Sequence, residues 1–515
     1  MRGYSKHYNT IVIGVGGMGS ATCYELAKRG QRVLGIEQYD IPHDMGSSHG
    51  YTRIIRLAYY EDPSYVMLLK RAYELWDEIE RKSGRRILYK CGSIDAGPAD
   101  SWVFKGSLRS CVEFDLPHEV LTGREMAQRF PGYRLPDDIL GVVQMDGGFL
   151  EPEKAVVSYV QAAQALGAEI HGREQVLGWE PSGDGVLVVT DRASYEADSL
   201  VISAGSWNDN MLPFLNGLAI PERQVLAWLQ PERPEKFQPE VFPVFNLLVP
   251  EGRFYGFPAH GVPGFKVGLY HHFEEQGDPS TFDWEPRWDD EEVLREFAAR
   301  YFPEGSGPTM SLKACMFTNS PDKHFIIDLH PQYPQVSFAA GFSGHGYKFA
   351  SVIGEIMADL AERRRSRHDI SLFALERFTG HPGELHRYRP GEVRPEFSPR
   401  LLQGAMDYRQ RLQVSAGRRM MGQADYGRRY AMPTGASGAI RRRGIGRFAR
   451  VPFRRGTGRG GQRLGQPGMV HSRSVARLQH RRRQGPGRQR HQESYRALDS
   501  SDPQYWDIED IEPFW

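Results

Sequence analysis

Short β-branched runs and longer stretches with apolar residues three or four apart alternate along the first 380 residues. The run 10–13 (Thr-Ile-Val-Ile) predicts a buried strand, 20–29 a helix closed by Gly30, and 32–36 a second strand. Later, 154–167 predicts an amphipathic helix, 186–190 and 200–203 two strands, 325–328 and 336–340 two more, and 347–361 a helix whose pattern reaches 365. Strands alternating with helices predict an α/β fold around a parallel sheet. Two intervening segments, 91–148 and 216–312, differ in character, with β-type runs such as 224–229 and 244–249. They predict a second, α+β domain built on an antiparallel sheet. The first domain is then discontinuous, assembled from 1–90, 149–215 and 313–380.

Charge divides the chain where this patterning stops. The 515 residues carry a net charge of +1, but 381–515 holds 27 arginines, no lysine and 12 acidic residues, a balance of +15 against −14 for 1–380. Runs such as Arg441-Arg442-Arg443-Gly444 bury too little apolar surface to offset chain entropy, so a disordered tail is predicted over 381–515. Arginine among glycine can neutralise phosphates and stack on bases, which leaves nucleic acid as a partner for the tail alone. Arginine without any lysine is also what a GC-rich gene read in a shifted frame produces, and an extension without function or a segment for another partner stays open. Cys23, Cys91, Cys111 and Cys315 are widely spaced with no CxxC pair, which predicts a reducing cytoplasm and neither a disulfide framework nor a zinc site. No apolar leader region precedes Tyr8 and no stretch of about 18 apolar residues occurs, so export and a membrane span are not expected.

Gly14-Val15-Gly16-Gly17-Met18-Gly19 lies between the first predicted strand and helix, and Glu37 stands at the end of the second strand. With 56 glycines in the chain the spacing alone says little. Strand, turn, helix, strand and acid in this order say more, because they are the parts of a dinucleotide site. Gly14 permits the tight turn, Gly16 brings backbone to the pyrophosphate, and Gly19 lets helix pack on strand. The helix N-terminus faces the phosphates and Glu37 takes the adenosine ribose hydroxyls. FAD and NAD both use this arrangement, and the motif does not separate them.

Four later segments add candidate chemistry. Gly46-Ser47-Ser48-His49-Gly50-Tyr51-Thr52-Arg53-Ile54-Ile55-Arg56 is a loop of small residues followed by two arginines three apart. Phe254-Tyr255-Gly256 leads to Gly264-Phe265-Lys266-Val267-Gly268-Leu269-Tyr270-His271-His272, where a regular strand would put Lys266, Gly268, Tyr270 and His272 on one face and a bulge would present His271. Cys315 stands in Lys313-Ala314-Cys315-Met316-Phe317-Thr318-Asn319-Ser320-Pro321-Asp322-Lys323-His324. Gly341-Phe342-Ser343-Gly344-His345-Gly346 opens the last helix with Lys348 in its first turn, where a cation is unfavourable unless an external anion accounts for it.

Together these segments resemble the monomeric sarcosine oxidase and N-methyltryptophan oxidase family of covalent-FAD amine oxidases, over residues 8–378. The resemblance implies a Rossmann-type, glutathione-reductase-like FAD domain and a thioether from Cys315 to the flavin. A thioether needs a lowered thiol pKa, for which Lys313 or a nearby arginine could serve. It further implies cofactor contacts from Gly14, Gly16, Gly19, Glu37, Thr52, Arg53, Gly344, Gly346 and Lys348. Arg53 would lie over the flavin ring, Arg56 and Lys348 would hold the substrate carboxylate, and Lys266 would serve the oxygen half-reaction beside flavin N5. Tyr255 and a histidine would face the substrate, with the local Tyr-His-His match favouring His271 over His272. Phe317 stands where the sarcosine enzyme has a pocket tyrosine, which leaves the exact substrate open.

The implied reaction oxidises a small N-alkyl amino acid such as sarcosine, with O2 as acceptor, to an imine that hydrolyses and to hydrogen peroxide, in a monomer without metal. N-methyltryptophan, pipecolate and glycated amino acids are alternative substrates. A flavin dehydrogenase is an alternative activity, and a nucleic-acid-binding protein acting through its tail is an alternative class.

Overall fold

The β-branched run near the start of the chain becomes the centre of a sheet. Strand His7–Ile13 pairs in parallel with Val33–Ile36 on one side and Ser194–Ile202 on the other, and Val33–Ile36 pairs in parallel with Glu169–His171. Ser194–Ile202 is long enough to serve two partners. Its first half pairs antiparallel with Gly185–Thr190, which continues to Val176–Ser182, and its second half pairs in parallel with Val336–Ala340, which continues to Ile326–Leu329. A computed structural model describes residues 7–378, so the predicted tail at 381–515 and the nucleic-acid reading that rests on it lie outside the described residues.

Helix Gly17–Lys28 covers one face of this sheet and packs between Pro152–Ala165 and Ala350–Arg363. A Cβ on Gly354 would lie 2.7 Å from the Ala21 backbone, so glycine is what lets the first and last helices approach this closely. Ala21, Leu26, Val352, Ile353 and Ile356 form the fully buried seam between them and the sheet.

A second sheet of eight strands runs in the order Thr309–Asn319, Ile220–Leu229, Phe265–Leu269, Gly252–Phe257, Val244–Val249, Ser93–Pro98, Ile139–Gln144, Glu119–Thr122. All of its pairs are antiparallel except Val244–Val249 with Ser93–Pro98. One face buries an aromatic core against helix Trp288–Tyr301, with Phe254 and Phe297 stacked at 3.8 Å. The opposite face carries Tyr255, Lys266 and Cys315. A small sheet of Arg53–Ile55, Gly148–Leu150 and Leu88–Lys90 completes the described strands.

Three expectations shift. The boundary at 313 falls later, because Thr309–Asn319 pairs along its whole length with Ile220–Leu229, from Leu229↔Thr309 to Ile220↔Asn319. Cys315 therefore sits on the second sheet, opposite Gln224. The last helix starts later than 347: Tyr347–Phe349 is a 3-10 turn and the α-helix proper is Ala350–Arg363. The strand bearing Lys266 stops at Leu269, and His271 turns the chain with a left-handed backbone at φ 57°. The period-two face extrapolated to His272 therefore ends at Leu269.

Candidate active site

Backbone shape defines the first part of the site. Gly14, at the carboxyl end of the first strand, has φ 86°, and a Cβ there would stand 2.5 Å from the Ser203 carbonyl oxygen. A Cβ on Gly19 would fall 1.8 Å from the Gly14 carbonyl oxygen, so both positions require glycine for packing. Gly16 differs, because its Cβ would meet only Ser48 Oγ at 3.5 Å. Its missing side chain keeps open a cleft lined by Gly14, Gly16, Glu37, Ser47, Arg53 and Cys315, and also by Gly344 and Gly346 at its far end.

Glu37 accepts hydrogen bonds from the N–H groups of Val15 (3.0 Å) and Tyr39 (3.1 Å). Burial opposes its charge, but His43 and those two N–H groups outweigh burial and hold the carboxyl below its ordinary pKa. An ionised acid at one end, the N-terminus of the Gly17–Lys28 helix in the middle, where only the Gly17 N–H is taken up by a side chain, Ser48 Oγ at 3.1 Å, and a thiol at the other end fit an elongated dinucleotide with a reactive ring. The residues present therefore suit FAD.

At the thiol end, three separate segments meet. Ser47 Oγ donates to the Met316 carbonyl at 2.8 Å, tying the small-residue loop to the strand of Cys315. Arg53 donates to the Thr52 and Ser47 carbonyls (2.9 and 2.8 Å) and places Nη2 3.7 Å from Cys315 Sγ. Lys313 is not the cation beside the thiol, since its ammonium pairs with Asp44 at 3.1 Å. Lys266 is buried and donates to Gly50 O (2.7 Å), Thr52 O and Thr52 Oγ1 (both 3.0 Å). All three ammonium protons have acceptors, while burial and then the Arg53 charge push its pKa well below the ordinary lysine value. Gly268 faces Tyr255 across the strands, and a Cβ there would strike the Tyr255 ring at 2.5 Å. That glycine gives the Tyr255 ring room to meet Tyr270 edge-on, with ring centres 5.0 Å apart and planes 65° apart.

A second cluster is built from side chains alone. Arg56 is 1% exposed, donates to Glu61 Oε2 at 2.7 Å and to the Ala58 carbonyl, and lies 3.5 Å from Asp95 Oδ1. Its guanidinium stacks over Tyr60 (3.9 Å) and Tyr59 (4.5 Å). Lys348 is equally buried, donates to the His345 carbonyl at 2.6 Å, and stands 5.3 Å from the centre of the same Tyr59 ring. Burial, then repulsion from Arg56, lowers its pKa to about 7. Burial resists the charge of Glu61, but Arg56, His345 and Lys348 bring its pKa down to about 2. Glu61 and Asp95 thus supply negative charge to Lys348 from inside the protein. Neither acid stood out in the sequence pattern: Glu61 lies five residues past Arg56, and Asp95 comes from strand Ser93–Pro98.

The histidines separate. His272 is fully buried and bonds Asp290 Oδ1 at 2.8 Å, beside the Arg223–Asp290 ion pair, on the core side of the sheet. His271 bonds Glu222 Oε1 at 2.9 Å and lies 6.4 Å from Phe317, which lines the cleft. Gly344 (φ 76°) gives that phenyl ring its room, since a Cβ there would meet it at 2.5 Å; one on Gly346 would meet Phe342 at 2.5 Å. Among the described residues no group of three metal-ligating side chains occurs, and no helix is long and apolar enough to cross a membrane.

Comparison with known proteins gives a consistent picture. The family model described as FAD dependent oxidoreductase matches residues 9–360. A monomeric sarcosine oxidase of Streptomyces avermitilis is 41% identical over 384 residues, covering 73% of this chain and 100% of the relative. An N-methyl-L-tryptophan oxidase of Yersinia pestis is 35% identical over 375 residues, covering 72% and 99%. Among solved structures, NikD, described as an unusual amino acid oxidase essential for nikkomycin biosynthesis, superposes with a TM-score of 0.63 at 25% identity, covering 72% of this chain and 98% of that one.

Proposed function

The chain belongs to the family of FAD dependent oxidoreductases, and from that membership we propose that it is an amine oxidase acting on secondary α-amino acids, N-methyl amino acids foremost. One observation carries the reading beyond the family: Cys315, Arg53 and the buried Lys266 converge at the end of the glycine-lined cleft opposite Glu37. When bound, FAD would supply two-electron oxidation chemistry at the carbon beside the amine nitrogen, with O2 as final acceptor giving hydrogen peroxide and the imine product left to hydrolyse.

The chain's own residues bind and orient. Gly14, Gly16, Gly19 and Glu37 hold the nucleotide, while Thr52, Arg53, Gly344, Gly346 and Lys348 shape the ring end. Cys315 would be the residue that holds the cofactor covalently, its sulfur 3.7 Å from Arg53 Nη2 at the ring end. Lys266 supplies a preorganised positive charge where negative charge builds up on oxygen. Arg56 and Lys348 receive the substrate carboxylate, and Tyr255 and His271 face the amine. The sheet around His7–Ile13 is the cofactor domain and the antiparallel sheet the substrate domain, in a monomer of the reducing cytoplasm where Cys23, Cys91 and Cys111 stay free thiols.

A denaturing gel of acid-precipitated protein viewed under ultraviolet light tests attachment: the parent band fluoresces and the Cys315→Ala band does not. Oxygen uptake and peroxide release with sarcosine, N-methyltryptophan, pipecolate and glycated amino acids test the reaction. An amine that bleaches the flavin without oxygen uptake makes the protein a dehydrogenase, and failure of every amine to bleach it overturns the proposal.

A further inference from the structure

Alternate residues of strand Gly252–Phe257 share a face, and that face runs along the site. The Phe257 ring lies 4.4 Å from the Lys266 ammonium, Tyr255 follows, packed on Tyr270, and Arg253 ends the row. The Arg253 guanidinium stands 3.6 Å from the centre of Tyr270, 4.9 Å from Trp102 and 5.7 Å from Tyr60. Tyr270 in turn reaches the cleft, with its ring 5.6 Å from Phe317 and its hydroxyl 3.4 Å from the Gly344 carbonyl.

Arg253 differs from the other arginines of the site. Arg56 has Glu61 and Asp95, and Arg53 has two carbonyls. The Arg253 side chain has no hydrogen-bond or ion-pair partner among the described residues; aromatic faces hold it, and Glu61 acts on it only through the Coulomb field. Five N–H donors fixed in place over rings and left without an acceptor form a ready receptor for an anion. A second cation without an ion-pair partner, Lys323, stands nearby. Burial lowers its pKa, Glu222 and Glu274 oppose this, and the Arg253 charge adds to the lowering. Arg56 is 3.9 Å and Arg253 5.7 Å from the centre of the one Tyr60 ring, so the two guanidiniums are separated by no more than the sum of those distances.

We propose that Arg253 binds a second anionic group of the substrate, so that the preferred substrates are N-alkyl amino dicarboxylic acids such as N-methylaspartate and N-methylglutamate. The inference rests on the proposed amine oxidation, with the α-carboxylate held by Arg56 and Lys348. The short side chain of such a substrate spans toward Arg253, while sarcosine has nothing to place there.

Binding is measured on the holoenzyme from flavin absorbance during titration with methylthioacetate, which has one carboxylate, and (methylthio)succinate, which has two. A charge-assisted hydrogen bond to the extra carboxylate gives the dianion roughly ten- to hundredfold tighter binding. Arg253→Met brings that ratio to near one, Arg253→Lys keeps part of it, and Lys323→Ala lowers it by less. Equal affinity for both ligands in the parent, or a loss in Arg253→Met that is the same for both, overturns the assignment. Turnover of N-methylaspartate and sarcosine is then compared. A dianion preference without turnover of either amine keeps the anion site and sinks the oxidation, whereas sarcosine turnover without a dianion preference does the reverse.

Discussion

The two ends of the site are made from different materials. At the nucleotide end, three glycines and one acid within 24 residues of chain shape a cleft mainly through backbone, and the contacts that require glycine are to main-chain oxygens. At the charge cluster, Arg56 and Glu61 from one segment meet Asp95 and Lys348 from two others, and their pKa values are set by one another and by burial. The first end tolerates change poorly in shape and readily in charge. The second has the opposite sensitivity.

Removing Arg56 gives the largest expected effect. Arg56→Met leaves Glu61 and Asp95 buried without their cation, and stranding one member of a buried ion pair costs about 3–5 kcal/mol. Chemical denaturation of the holoprotein should show that loss while flavin content at low denaturant stays near parental. A stability change inside experimental scatter would mean that water reaches the cluster and the burial argument fails.

Next comes Lys266→Met, which removes one preorganised cation and should lower kcat/KM for O2 by about a hundredfold. The amine's kcat/KM should move far less. An equal drop in both would show a general loss of structure rather than a role toward oxygen.

Gly19→Ala tests the shape-dominated end. Its Cβ would fall 1.8 Å from the Gly14 carbonyl oxygen, so the strand and helix must separate locally at a cost of about 1–3 kcal/mol. The variant should lose flavin, read as the ratio of visible to ultraviolet absorbance, before it loses its fold by circular dichroism. Full flavin content would show that the turn is slack.

The smallest effect is a pH dependence. Lys348 titrates at about 7 in the folded chain against an ordinary value of 10.5, so its protonated form is disfavoured by folding. Its contribution to stability is therefore unfavourable below pH 7 and is relieved progressively as pH rises from 7 toward 10.5. Carboxylate binding has the opposite sign, because the cation is lost above pH 7. The Kd for methylthioacetate should rise by up to about tenfold per pH unit above 7, and Lys348→Met should flatten that rise. A parental Kd that does not change between pH 6 and 9 rules out Lys348 as the titrating partner.

Much was legible before any tertiary structure. The strand at 10–13, the glycines after it and Glu37 could be read because strand, turn and helix are neighbours in sequence and each residue's task concerns its own backbone. Resemblance at widely separated motifs brought Lys266, Arg53 and Cys315 forward together. Other points could not be read this way. The pattern around Lys266 leaves His271 and His272 both open to the site, and the left-handed turn at His271, which nothing in the period-two pattern marks, sends His272 to Asp290 and His271 to Glu222. Lys313, two residues from Cys315, was a reasonable candidate to activate the thiol until Asp44 was found to hold it.

By itself, the sequence determined which local elements form and where a dinucleotide must lie, since hydrophobic period, glycine freedom and helix ends act over a few residues. Tertiary structure alone decided that Cys315 belongs to the antiparallel sheet, that Glu61 and Asp95 neutralise Arg56, and that Arg253 is left without an anion. Those outcomes depend on desolvation and on distances between side chains, most of them far apart in sequence. Coulomb interaction and burial act through space, so even a pair as near as Arg56 and Glu61 cannot be told from its spacing alone.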